Sequence, residues 1–87
     1  MWVVHLPKRV VREFEVAPAA LKEPLREALK TLQYHPRPVG CKKLAGRLQS
    51  WRIRVGTYRI LYDILDRKRA VVITKIGPRK DVYRHLR

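Results

Sequence analysis

The stretch Trp51-Arg52-Ile53-Arg54-Val55-Gly56-Thr57-Tyr58-Arg59-Ile60-Leu61-Tyr62-Asp63-Ile64-Leu65 decides the fold. From Trp51 to Val55 apolar and cationic side chains alternate, a period of two that a strand sorts onto opposite faces. Gly56-Thr57 turns the chain, and Tyr58–Leu65 reads as a longer strand, apolar enough to lie centrally. Downstream, Asp66-Arg67-Lys68-Arg69 makes a second turn, Ala70–Ile76 a third strand, and Gly77-Pro78 closes it. The remaining Arg79–Arg87 is a polar tail with room for one or two helical turns. Upstream, the rigid His35-Pro36-Arg37-Pro38-Val39-Gly40 loop ends a helix whose apolar face is Leu21, Leu25, Leu29 and Leu32. Pro24 implies that this helix starts there or has a kinked first turn. Before it, Val10, Val11 and Phe14 space a shorter helix through about Val16, with Pro7 suited to its first turn. Trp2–Leu6 is β-prone and ends at that proline. The predicted order is β-α-α-β-β-β with a tail, an α+β fold with two helices on one face of a mainly antiparallel, twisted sheet.

At 87 residues the chain has the size of one domain, 1–87. A single cysteine, Cys41, allows no intramolecular disulfide and no cysteine-based zinc site, and it reads as a small apolar filler. No apolar run reaches the length of a membrane span, so a cytoplasmic domain with no membrane partner is expected. Charge is the informative quantity. The net charge is +14, and it is lopsided: residues 1–41 hold 7 basic and 4 acidic side chains, residues 42–87 hold 14 and 3. Between Glu27 and Asp63 there is no carboxylate, while Lys42, Lys43, Arg47, Arg52, Arg54 and Arg59 fall in that gap. A solvated structural surface mixes signs, and this one does not, so a polyanion is the expected partner.

Residue types prune the chemistry further. Gly40, Gly46, Gly56 and Gly77 are scattered and form no phosphate loop. His5, His35 and His85 are far apart and lack metal-ligand spacing; no metal site and no cofactor are expected. Asp63 and Asp66 are the only carboxylates of the strand region, too few for a two-metal nuclease. Arg52 and Arg54 point the same way from one strand, roughly 7 Å apart, a spacing that suits adjacent phosphates of a single strand. Arg59 returns beside them if the strands pair. Tyr58, Tyr62, Trp2 and Trp51 read as core, and His35 as a helix-end residue.

Three runs carry a resemblance: Lys43-Leu44-Ala45-Gly46, the block Trp51–Tyr62, and Ile76-Gly77-Pro78-Arg79-Lys80-Asp81-Val82-Tyr83. Together they resemble the RelE toxins of the RelE/ParE superfamily of type II toxin–antitoxin systems, over almost the whole chain. The resemblance implies a toxin that enters the ribosomal A site, cleaves mRNA and is held inactive by a cognate RelB-like antitoxin. It implies that Arg59, Arg79 and Tyr83 are catalytic. It puts Arg52 and Arg54, with Lys43 and Lys80, on the RNA phosphates. The family's best-known members carry lysines where this chain has Arg52 and Arg54. Arginine does not shuttle protons in the normal pH range, so an acid–base role of those lysines does not transfer.

Metal-free cleavage uses the neighbouring 2′-OH as nucleophile and leaves a 2′,3′-cyclic phosphate. It needs a base, positive charge for the phosphorane and help for the leaving oxygen. The arginines supply charge, and Tyr83 is the first candidate base, followed by His85, Lys80 and Asp81. DNA lacks the 2′-OH, so the mechanism selects RNA. The alternatives are a ParE-type toxin that inhibits gyrase and a basic RNA-binding module without catalysis. The excess positive charge leads us to expect an acidic, partly disordered antitoxin.

Overall fold

A computed structural model of the chain describes residues 1–79. The elements are β1 (Val3–His5), α1 (Lys8–Glu15), α2 (Ala19–Leu32), β2 (Lys42–Lys43), β3 (Ser50–Val55), β4 (Tyr58–Leu65) and β5 (Ala70–Pro78). Five strands form one sheet in the order β1-β5-β4-β3-β2, and both helices pack on it, an α+β arrangement as expected. The pairs β2–β3, β3–β4 and β4–β5 are antiparallel, whereas β1 runs parallel to β5 with Val3 opposite Ala70, so the sheet is mixed. The parallel pair follows from connectivity: two helices intervene between β1 and the rest, and a parallel neighbour needs such a crossover. The two-residue β2 was not anticipated, because two lysines carry no periodicity.

Each helix begins immediately after a proline. Pro7 and Pro18 occupy the N-cap positions with extended backbone, and their carbonyls accept the first amide bonds, from Val10 and Val11 and from Leu21. Pro7 thus precedes the first turn of α1 instead of lying in it. Likewise α2 starts five residues before Pro24 and runs through it. Pro24 withholds one amide from the Ala20 carbonyl, but both residues are exposed and water serves that carbonyl.

The core lies between helices and sheet. Val10, Leu25 and Leu32 meet Ile53, Ile60, Tyr62, Ile64, Val71, Ile73 and Ile76, all buried. Tyr62 is a core residue, as the sequence implied, and its hydroxyl donates to the buried Pro36 carbonyl at 2.8 Å. Burial, with a smaller contribution from nearby Cys41, pushes its phenol well above the usual range, so it serves as a protonated donor. The Pro36 loop is tied down again by Arg37, which holds Asp66 through two bonds of 3.2 and 3.0 Å and stacks 5.1 Å over Trp51. The Arg37 hydrogen bonds hold the Asp66 carboxyl below the usual carboxylate range.

Two irregularities set the phase of the strands. Gly56 (φ +59°) is the first central residue of a two-residue hairpin loop between Val55 and Tyr58, a position that favours glycine. A Cβ there would also stand 2.9 Å from Leu21 Cδ2 of α2, so that side-chain end would have to shift, while the left-handed backbone is the firmer requirement for glycine. The second is a bulge in β5. Leu61 pairs with Lys75 but Tyr62 pairs with Ile73, which leaves Thr74 as the extra residue. Ile73 and Ile76 therefore both face the core although they are three apart, and Gly77 comes to lie opposite Arg59.

Gly56→Ala is expected to destabilise the fold by more than about 1 kcal/mol, because alanine meets both the left-handed backbone and Leu21. Tyr62→Phe is expected to cost about 1–2 kcal/mol by leaving the Pro36 carbonyl without its donor. Urea unfolding midpoints check both; an unchanged midpoint for either contradicts the role given to that residue.

Candidate functional site

Alternation along β3 and β4 puts Trp51, Ile53, Val55, Tyr58, Ile60, Tyr62 and Ile64 toward the helices. The other face receives Ser50, Arg52 and Arg54 from β3 and Arg59, Leu61 and Asp63 from β4. Leu61 is buried yet lies outside the helix-side core cluster, as this assignment requires. Three neighbouring strands contribute one row across this outer face: Arg54, Arg59 and Gly77. Arg79 follows two residues later, and its amide donates to the Thr57 carbonyl of the hairpin loop at 3.4 Å. Arg54, Arg59 and Arg79 are thereby brought to the same end of the sheet. Arg52 sits two residues along β3, opposite Leu61.

Directly opposed like charges, such as Arg54 and Arg59, destabilise an antiparallel pair. Arg59 compounds this, since it is only 6% exposed. One guanidinium nitrogen donates to the neighbouring Tyr58 carbonyl at 3.2 Å, and its buried Nε has no hydrogen-bond partner among the described residues. Three other arginines of the fold are matched. Arg26 binds Glu23 at 2.7 Å, Arg37 binds Asp66, and Arg9 donates to the Thr74 carbonyl. Among the described residues no carboxylate lies within ion-pairing distance of Arg52, Arg54, Arg59 or Arg79. A buried cation with an unmet donor, flanked by further arginines, is a site for an external anion with several acceptor oxygens.

The face has a boundary. Asp63 accepts a 2.6 Å bond from buried Ser50 Oγ and lies four residues from Arg59, about 13 Å along the strand. Its carboxylate is thus engaged away from the arginine row.

Of the residues singled out from sequence, Arg52, Arg54 and Arg59 share one face, and Arg79 adjoins it. Lys43 does not join them. It pairs with Trp51, and Lys42 pairs with Arg52, so the register puts Lys42 on the arginine face and Lys43 on the opposite one. Register across a two-residue strand cannot be inferred from the lysines themselves. Lys80, Asp81, Tyr83 and His85 lie outside the described residues. Sequence reasoning also missed Glu13. It sits on α1 yet reaches β5, where Oε1 accepts the Ile76 amide at 3.0 Å and Oε2 pairs with Lys75 Nζ at 2.6 Å. Lys75, whose register points it to the outer face, is thereby drawn to the sheet edge.

A family model described as the ParE toxin of the type II toxin–antitoxin system parDE matches residues 3–83. The candidate toxin RelE1 of Methanocaldococcus jannaschii is 29% identical over 85 residues, 94% of either chain. The archaeal RelE–RelB complex from Pyrococcus horikoshii OT3 superposes with a TM-score of 0.79 at 29% identity, covering 90% of this chain and 94% of that one. The isolated E. coli RelE toxin gives the same TM-score at 23% identity, covering 99% and 95%, a likeness of fold. The family match spans nearly every residue, and the two-helix, five-strand architecture agrees with solved RelE structures. The chain belongs to the RelE-type toxin family of type II toxin–antitoxin systems.

Proposed function

We propose that the chain is a ribosome-dependent, metal-independent endoribonuclease that cleaves mRNA by attack of a 2′-OH on the adjacent phosphate. The observation that carries this reading is Arg59, a buried guanidinium with an unmet donor in the row Arg54–Arg59–Gly77, next to Arg79. A fixed cation in a water-poor setting stabilises charge that develops on the phosphorane without reorganising at the moment of reaction. Arg59 and Arg79 take that role. Arg52 and Arg54 hold the flanking phosphates, with Lys42 on their face and Lys80 beyond Arg79 in sequence. Tyr83, outside the described residues, is the first candidate for the base, because neighbouring cations favour its phenolate. The reading is cytoplasmic by necessity, since its substrate is mRNA in the ribosomal A site.

The partner follows from the same charge. The similar RelE of P. horikoshii is seen in complex with RelB, as is RelE2 of Mycobacterium tuberculosis with its antitoxin. An acidic RelB-like antitoxin that covers the arginine face would neutralise this chain, with an association rate that falls steeply with salt.

The description of the matching family model as a ParE toxin favours a second reading, inhibition of gyrase by protein contact. One experiment separates the two. The purified toxin is added to programmed ribosomes whose magnesium is kept just sufficient for their integrity, with other metals chelated, and in parallel to a gyrase supercoiling reaction. Codon-spaced cleavage with 2′,3′-cyclic phosphate ends and unaffected supercoiling are expected. Cleavage that requires an added transition metal, or supercoiling inhibition alone, overturns the reading.

Arg59→Leu is expected to unfold at the same or a higher temperature, because it removes a buried donor without a partner, while single-turnover cleavage falls ~10²–10⁴-fold. Arg52→Ala with Arg54→Ala is expected to act on binding instead, reducing the salt slope of ribosome or RNA binding by about 2 at most. Thermal unfolding, single-turnover kinetics and binding at several salt concentrations check the pair. Equal loss of rate and stability in Arg59→Leu contradicts the assignment.

A further inference from the structure

Between β1 and the arginine row, β5 runs without a partner strand on one side. β1 covers Ala70–Val72 only, and from Ile73 to Pro78 the outer edge of β5 meets no strand among the described residues. α1 stands in for one. Arg9 and Glu13, four residues apart and so on one side of the helix, supply the two complementary groups that a strand would offer. Arg9 Nη2 donates to the Thr74 carbonyl at 2.6 Å, and Glu13 Oε1 accepts the Ile76 amide at 3.0 Å. The two bonds bracket Lys75, whose ammonium pairs with Glu13 Oε2 at 2.6 Å. They begin at the bulge and stop one residue short of Gly77.

This ion pair is the most sheltered among the described residues: its side chains are 15% and 19% exposed, against 43–66% for the others. Apolar side chains at such positions serve stability as well as or better than a desolvated pair. The specific gain is register. A bulged strand with an open edge can shift its phase, and a shift by one residue would move Gly77 off Arg59 and turn Arg79 away from Thr57. The pair also withdraws the Lys75 charge from the outer face. A cavity of about 220 Å³, lined by Glu13, Lys75, Ile76, Gly77 and Tyr58 among others, connects the carboxylate to the glycine of the arginine row.

We propose that Glu13 is a positioning residue: by holding the Ile76 amide and the Lys75 ammonium it fixes the end of β5, and with it the placement of Arg79 relative to Arg59. The role in catalysis rests on the endoribonuclease reading above; the role in fixing β5 does not. Glu13→Gln keeps an acceptor for the Ile76 amide, whereas Glu13→Met keeps the side-chain length and offers none. Glu13→Met combined with Lys75→Met also removes the ammonium, so no charge is stranded if the single variant does not fold.

Amide hydrogen exchange at Ile76, Gly77 and Arg79 is read first, then single-turnover mRNA cleavage and ribosome binding. Exchange at Ile76 and Arg79 is expected to quicken in the methionine variants and to stay near wild type in Glu13→Gln. Cleavage by the methionine variants is expected to fall ~10–100-fold, the scale of a displacement near 1 Å, while ribosome binding stays within about twofold. Glu13→Gln should recover most of the rate. Unchanged exchange at Ile76 in the methionine variants overturns the proposal, as does wild-type cleavage by the double variant. If the wild-type chain itself cleaves nothing, the endoribonuclease reading falls, and exchange at Ile76 and Arg79 alone decides whether Glu13 holds β5.

Discussion

Everything at the arginine end of the sheet depends on the two-residue loop at Gly56-Thr57. It fixes Val55 opposite Tyr58, and from that pair the whole β3–β4 ladder follows to Ser50 opposite Asp63. Because strand side chains alternate, a slip of one residue would exchange the faces, burying arginines against the helices and exposing Ile53 and Ile60. Gly56 is pressed against Leu21 of α2, so the loop also anchors the hairpin to the helical layer. The same ladder that builds the core thus builds the cationic face. Stability and the candidate site share one register.

The cationic face works against the fold that carries it. Arg54 and Arg59 stand directly opposite each other, and Arg59 is buried with an unmet donor. Elsewhere, among the described residues, four cations are paired locally, through Glu23, Glu27 and Asp66 on the surface and Glu13 inside. Along the arginine face no such pair forms among the described residues, and Asp63 at its far end is engaged by Ser50. Three arginines on one face, one of them buried with an unmet donor, give that face the chemistry to receive an outside anion.

Much of this was legible in the sequence, for physical reasons that differ by element. The alternation of Trp51, Ile53 and Val55 with Arg52 and Arg54 encodes both strand and face, and the leucine spacing of α2 encodes its buried stripe. Those signals are local. What stayed illegible depends on partners distant in sequence. Pro24 looked like a helix boundary because its cost is counted from the missing amide, and exposure to water at Ala20 reduces that cost. The parallel placement of β1, the choice of Lys42 over Lys43 and the reach of Glu13 to Ile76 are all set by register or by packing between layers. The bulge at Thr74 belongs with them, since only pairing with β4 shows where the extra residue goes.

The edge contacts of β5 have a kinetic consequence. Arg9 meets Thr74 across 65 residues and Glu13 meets Ile76 across 63, while Val3 pairs with Ala70 near the other end of the described chain. Such contacts carry the largest loop-closure entropy, so they are expected to form after the local β3–β4 hairpin. The arginine row draws one member, Gly77, from β5, so the row is complete only when β5 has paired with β4. A chain that still lacks β5 presents no complete row. The face that carries Arg54 and Arg59 is thus finished by a contact more than 15 residues further along the chain.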